Sequence, residues 1–341
     1  MRVALLYNQI KRYMLIKSAL DKIAELDSPE TIDYVREALM SGGNEVILIE
    51  ADGNAYGKLK EERRDTDIVF NIAEGLRGES RESYIPAICD MLEIPYTGSG
   101  VLTLGLCLNK ARTKEILRYY GIPTPDFQVL KSKDDKLDPG LELKFPLIVK
   151  LLHEGSQMGL SRDSIVCSEE DLRDRTAYLM YEYGEPVIVE EFLDGREFTV
   201  GILGNEEPIV LPIIETLFED GQKTRLFTPD EPILPFIPKD IVINPEHSSV
   251  CPADIDEDLK KEIEETALDA YRALDCRDWC RIDLRMKRDG DIPNVLELNP
   301  IAGIDPSYHL PKAAKAAGIS YERLIKMILE FGAKRYGLKW R

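Results

Sequence analysis

An α/β protein is predicted, with an N-terminal α/β layer followed by two α+β subdomains. Three observations carry this. Short apolar runs alternate with helical patterns over residues 3–100. A proline-rich stop, GIPTP (121–125), then interrupts the chain. Beyond it, stretches of polar–apolar alternation broken by Asp-Gly pairs read as paired strands. On this reading the chain divides into residues 1–104, 105–184 and 185–341.

The elements follow in order. VALLY (3–7) is a buried parallel strand, a helix runs from Ser28 to Met40, and EVILIE (45–50) is the next strand, followed by a polar loop. DIVFNIAEG (67–75) is a third strand ending in a glycine turn, Tyr84 to Leu92 is helical, and IPYTGSG (94–100) is a short strand and loop. Loops after parallel strands carry ligand contacts, which makes Asn71, Glu74, Gly75 and Arg77 candidates. One helix is expected over Thr103 to Tyr120, containing Asn109 and Lys110. FPLIVK (145–150) is a strand that delivers Lys150 to a glycine loop, HEGSQMG (153–159). DSIVCS (163–168) is a strand, and Glu169 to Tyr183 is a helix with Ser168 as its cap. Residues 185–205 read as strand, Asp-Gly turn and strand, an acidic hairpin from Glu190 to Glu197, with PIVLPIIE (208–215) next. Residues 216–250 are irregular and proline-rich, a long loop of the kind that serves function. Helices are expected over Ile255 to Leu274 and Ser320 to Tyr336.

The most informative stretch is WCRIDLRMKRDGDIPNVLELN (279–299). It reads as two alternating strands about an Asp289-Gly290 turn. A turn centred on Gly290 puts Asp283 opposite Glu297 and Arg281 opposite Asn299. Facing carboxylates repel unless a cation lies between them. Two carboxylates, an amide oxygen and an arginine suit Mg²⁺ and the phosphates it carries.

Composition bounds the partners. Of 341 residues, 44% are hydrophobic and 31% charged, as in water-soluble folded proteins, and the formal net charge is −18. Such a surface repels nucleic acid and anionic membranes. Six scattered cysteines without ligand spacing, no apolar run long enough for a signal or a span, and the acidic surface together predict a cytoplasmic protein with reduced thiols. No GxxxxGK[ST] or GxGxxG follows a strand, so phosphate binding needs placed lysines and a mobile glycine loop instead. Lys110, Lys150, the Glu190–Glu197 segment and the 279–299 hairpin supply the parts a nucleotide triphosphate requires.

Taken in order, PYTGSGVLTLGLCLNKARTKEIL (95–117), FPLIVKLLHEGSQMGLS (145–161), VIVEEFLDGREFTVGIL (187–203), CRIDLRM (280–286) and VLELNPIAGI (295–304) resemble the ATP-grasp ligases of the D-alanine–D-alanine ligase type. The resemblance runs over nearly the whole length. It implies a two-subdomain ATP-grasp fold after the N-terminal α/β layer, ATP as cosubstrate, and two Mg²⁺ ions, or Mn²⁺, as cofactor. It implies that Lys110 and Lys150 contact the nucleotide phosphates and that Ser156 orients substrate. Glu190 would accept from the adenine amino group, Phe192 and Leu193 would offer backbone contacts, Glu197 would hold the ribose, and Leu296 would pack on adenine. Asp283, Glu297 and Asn299 would ligate metal, and Arg281 would stabilise charge on the reacting oxygen. A homodimer formed through the first layer is also implied.

The departures fall where the amino acids bind. LYNQIK (6–11) lacks the family's glycine-rich loop and amine-holding glutamate. Glu74-Gly75 stands where the family has His-Gly. Gly303 is kept, but Tyr308 falls where a serine is expected. No tyrosine–lysine loop is recognisable in 216–250, where Lys223, Arg225 or Lys239 would substitute. The expectation is an ATP-dependent carboxylate–amine ligase acting through an acyl phosphate on small amino-acid or peptide substrates, not necessarily two D-alanines. A phosphotransferase acting on a small acceptor and a non-catalytic nucleotide-binding module are the alternatives.

Overall fold

A computed structural model describes residues 1–10, 26–217, 249–288, 290 and 292–339. Lys223, Arg225, Lys239 and Asp289, and most of the long loop, lie outside the described residues. The N-terminal layer contains β1 (Arg2–Tyr7), α1 (Pro29–Met40), β2 (Glu45–Glu50), α2 (Ala55–Glu62), β3 (Ile68–Asn71) and α3 (Tyr84–Leu92). Its strands are parallel in the order β2–β1–β3, as buried apolar runs between helices require. The Ser28 hydroxyl starts α1 by accepting the Thr31 N–H at 2.8 Å. α2 stands where a polar loop is expected. It buries only Ala55 and Leu59, too few apolar positions to announce a helical period. One face of the sheet packs Leu6 and Val69 against Leu59, Ile85 and Leu92. The other face packs Val3, Leu5 and Phe70 against Val35 and Leu39, and against Trp279, Leu324 and Ile328 from the far end of the chain.

The pattern over 103–120 predicts one helix; the structure has two, α4 (Val101–Leu108) and α5 (Lys110–Tyr119). Asn109 between them is extended, and its side-chain oxygen accepts the Arg112 N–H at 3.0 Å. A short polar side chain competes for backbone donors, so asparagine starts a helix here rather than continuing one. Lys110 thereby becomes the first residue of α5, with Lys114 one turn on along the same face.

β4 (Phe127–Leu130), β5 (Leu147–Leu151), β6 (Ile165–Val166), α6 (Glu169–Tyr183) and β7 (Val187–Glu191) follow. Their sheet is antiparallel in the order β4–β7–β5–β6. α6 has the predicted bounds and cap: Ser168 Oγ accepts the Asp171 N–H at 3.1 Å. The rest comprises β8 (Glu197–Leu203), β9 (Ile209–Val210), β10 (Ile214–Thr216), β11 (Ser249–Val250), α7 (Glu257–Ala273), β12 (Trp279–Arg285), β13 (Asn294–Asn299), α8 (His309–Ala316) and α9 (Tyr321–Arg335). This second sheet runs β11–β10–β8–β12–β13, with β9 also on β8.

The acidic hairpin expected over 185–205 does not form. β7 is flanked by β4 and β5, and β8 by β10 and β12, so neither strand has an edge free for the other. The Asp194-Gly195 turn carries the chain from one sheet to the next. β7 therefore sits in the central sheet, whereas the sequence partition puts residues from 185 onward with the C-terminal strands. Asp278 joins the N-terminal layer to the second sheet. It is 0% exposed and accepts from the Gly98 N–H at 2.7 Å, Asn205 Nδ2 at 2.8 Å and Arg335 Nη2 at 2.9 Å.

Candidate active site

The 279–299 hairpin has the predicted register, with Arg281 opposite Asn299 and Asp283 opposite Glu297. Ile282, Leu284 and Leu298 go into the core, so strand alternation leaves Arg281, Asp283, Glu297 and Asn299 on the open face. The ladder then slips: Leu284 pairs with Val295, and Leu296 is left as an extra residue in β13. β8 extends the same face, with Thr199 beside Asp283 and Glu197 beside Arg285. Asp283 is well held. It accepts from Thr199 Oγ1 at 2.8 Å, from Arg281 Nε at 3.1 Å and Nη2 at 2.9 Å, and from Asn299 Nδ2 at 3.2 Å. Burial opposes the Arg281 charge, but Asp283 outweighs it and raises the guanidinium pKa. Glu197 takes Arg285 Nη1 at 3.0 Å, and burial still raises its pKa.

Lysines from the other side of the cleft meet this face. Lys110 Nζ donates to the Glu154 carbonyl in the glycine loop and stands 3.7 Å from Glu297 Oε2. Lys150 Nζ lies 2.8 Å from Glu190 Oε2, and Lys114 Nζ lies 3.3 Å from Glu190 Oε1. Burial alone would raise the Glu190 pKa, but the two ammonium groups prevail and bring it down to about 2. Burial lowers Lys114 to about 8, with Glu190 offsetting part of the effect.

A cleft between two sheets, walled by lysines on one side and carboxylates on the other, has clear relatives. The family model described as D-ala D-ala ligase C-terminus matches residues 116–330. The chain belongs to the D-alanine–D-alanine ligase family. It is 33% identical over 323 residues to a D-alanine–D-alanine ligase of Pelotomaculum thermopropionicum, covering 92% of this chain and 94% of that one. It is 35% identical over 311 residues to protein y4sG of Sinorhizobium fredii, covering 89% and 88%. Its fold matches the D-alanine–D-alanine ligase of Bacillus anthracis complexed with ATP, at a TM-score of 0.75, 26% identity and 99% coverage of both chains. The chain is an ATP-dependent ligase of the D-alanine–D-alanine ligase type with the ATP-grasp fold.

The other expected residues of this ligase occupy distinct places. Ser156 is exposed on the glycine loop, at φ 48°. That loop is clamped at its start: Arg81 Nη1 donates to the His153 carbonyl at 3.0 Å, Arg81 Nη2 pairs with Glu154 at 2.9 Å, and Asn109 Nδ2 donates to His153 Nε2 at 3.0 Å. Phe192 and Leu193 are buried after β7, and the Phe192 ring lies 5.5 Å from the Arg285 guanidinium. Glu191 points outward to Lys287 at 2.7 Å. Asp283, Glu297 and Asn299 offer hard oxygen donors of the kind Mg²⁺ takes. Among the described residues no three His, Cys, Asp or Glu side chains gather to hold a metal; the set on this face is two carboxylates and an amide.

The Tyr308 ring covers Gly303, where a Cβ would lie 2.5 Å from Tyr308 Cδ2. Burial raises the Tyr308 pKa to about 12; Asp305, Asp27 and Glu74 add to the rise, and Arg281 opposes it. The candidate Asn71 is buried, and its Oδ1 accepts the Ala73 N–H at 3.2 Å. Arg77 is exposed on the same loop, and Gly75 sits at φ 83° against the Arg81 backbone. Two residues escape the sequence reading. Asn8 Oδ1 accepts the Gly75 N–H at 2.8 Å, and nothing in LYNQIK signals it. Lys114 had a signal, the i, i+4 spacing from Lys110 that puts both on one helix face.

Proposed function

We propose that this ligase joins a carboxylic acid to an amine through an acyl phosphate, releasing ADP and phosphate. We further propose that its substrates are amino acids or short peptides other than a pair of D-alanines. The approach of Lys110 to Glu297 across the cleft carries the reading, because it brings the glycine loop and the open face of the 279–299 hairpin to one place. The altered amino-acid end, with Glu74 and Tyr308, supports the changed substrates.

A substrate carboxylate oxygen attacks the γ-phosphorus, and the bond from that phosphorus to the bridging oxygen breaks as ADP leaves. The amine nitrogen then attacks the acyl carbon, the carbon–oxygen bond to phosphate breaks, and the nitrogen loses its proton. The protein contributes positioning and fixed charge. Lys110 and Lys150 hold phosphate oxygens. Glu190 accepts from the adenine amino group, the backbone at Phe192 and Leu193 borders the base, Leu296 packs on it, and Glu197 takes ribose hydroxyls. Asp283, Glu297 and Asn299 would hold two Mg²⁺ ions, or Mn²⁺, which neutralise phosphate charge when bound. Arg281 donates from Nε and Nη2 to Asp283 beside it, and its guanidinium stabilises the charge on the tetrahedral oxyanion. Ser156 orients the reacting acid, while Glu74, Gly303 and Tyr308 border the amino acids.

The accompanying architecture is an N-terminal layer to residue 104, a central subdomain from 105 through β7, and a C-terminal subdomain beyond it. A homodimer joined through the first layer and a cytoplasmic location complete the proposal. The test is ADP release over a panel of amino acids and dipeptides, with hydroxylamine present to trap an acyl phosphate as a hydroxamate. Hydroxamate formed with a panel member supports the reading. ADP release without hydroxamate favours phosphoryl transfer instead, and strong activity with D-alanine alone overturns the changed specificity.

A further inference from the structure

Lys114 has no part in the mechanism above, yet its surroundings are unusual for a lysine. Its side chain is 0% exposed. Its ammonium faces three oxygens from three segments: Thr124 Oγ1 at 3.1 Å, the Leu296 carbonyl at 3.2 Å and Glu190 Oε1 at 3.3 Å. Thr124 and Leu296 each accept a hydrogen bond from the ammonium, and the Glu190 carboxylate stands beside it as an ion pair. Thr124 is itself fastened to β13, donating to the Val295 carbonyl at 2.8 Å. Glu190 belongs to the central sheet, and Leu296 is the bulged residue of the C-terminal sheet. Lys114 is therefore a cross-tie between the two sheets at the floor of the cleft.

Its charge has a second consequence. Glu190, 1% exposed, lies between Lys114 and Lys150. A buried carboxylate stripped of its cations is strongly disfavoured. If Lys150 moves from Glu190 to a phosphate oxygen, Glu190 stays compensated only because Lys114 remains.

We propose that Lys114 is a positioning residue for the nucleotide: it holds Glu190 and the Leu296 bulge in place and frees Lys150 to reach the phosphates. The proposal rests on reading Glu190, Leu296 and Lys150 as nucleotide contacts. Without Lys114, Lys150 stays on Glu190 and the phosphates lose a cation. A lysine that merely fills the core would not be coupled to Lys150 in this way.

The experiment is calorimetric titration of the full chain with ATP and magnesium, on wild type, Lys114→Met, Lys150→Met and the double variant, with circular dichroism to check folding. Lys114→Met is expected to weaken ATP binding roughly 100-fold. The double variant is expected to bind within about threefold of Lys114→Met alone, because Lys150 is already withdrawn. Thr124→Val removes one acceptor outside the nucleotide contacts and is expected to weaken ATP about fivefold; it decides the matter if Lys114→Met does not fold. Additive single effects, or Lys114→Met binding like wild type while Lys150→Met is weakened, overturn the inference and leave the nucleotide reading standing. Wild-type binding in both single variants overturns the nucleotide reading, and this inference with it.

Discussion

Asp283 stands directly across the antiparallel ladder from Glu297, and Lys110 lies 3.7 Å from the latter. Two carboxylates at this spacing repel one another and are tolerated because cations lie on each: Arg281 on the first and Lys110 on the second. The hairpin face thus carries two carboxylates and an arginine, with the Lys110 ammonium set against it from the facing helix. A triphosphate with a divalent cation matches that arrangement.

Asp283→Asn and Glu297→Gln are each expected to cut ATP-dependent ADP release at least about a hundredfold and to raise the magnesium concentration needed for half-maximal rate. The measurement is ADP release against magnesium concentration. Equal magnesium curves for variant and wild type would remove these side chains from the metal site.

On the proposed role of Arg281 in stabilising charge that develops during reaction, Arg281→Met is expected to lower kcat by about 10²–10³ while ATP binding changes much less. Single-turnover rates beside calorimetric titration separate the two. An effect confined to ATP affinity would assign Arg281 to nucleotide binding instead.

Asp278→Ala is expected to destabilise the fold by roughly 3–5 kcal/mol, since it leaves the partly buried Arg335 without its carboxylate and the Gly98 N–H without an acceptor. Urea unfolding of both proteins measures the difference. A loss under about 1 kcal/mol would mean that water replaces these bonds without consequence.

Glu190 predicts a pH effect whose sign is definite. Its folded pKa, about 2, is below the ordinary value of 4.5. The unfolded chain therefore binds the proton more tightly, and the stability Glu190 provides is present above about pH 4.5 and lost as pH falls towards 2. The stability of wild type relative to Glu190→Gln should fall by about 3 kcal/mol between pH 6 and pH 2. A relative stability that does not change with pH would mean that Glu190 is not held ionised by its lysines.

The sequence by itself determined the hairpin, its turn-centred register at Asp283 and Glu297, the parallel N-terminal strands, and the cap at Ser168. Each of these is written in neighbouring residues as an alternation, an apolar run or a hydroxyl before a helix. Asn109 had such a signal too, and the apolar pattern running through it hid the helix break. Only the tertiary structure decided that β7 and β8 lie in different sheets, that Leu296 bulges out of register, and that Lys114, rather than Lys150 alone, holds Glu190. The reason is physical: a local pattern specifies which face of an element is apolar, but not which distant element covers it. Partners across a cleft are chosen by how the sheets close upon one another, and a buried lysine reads in sequence like a solvated one until its two acceptors and its carboxylate are in place.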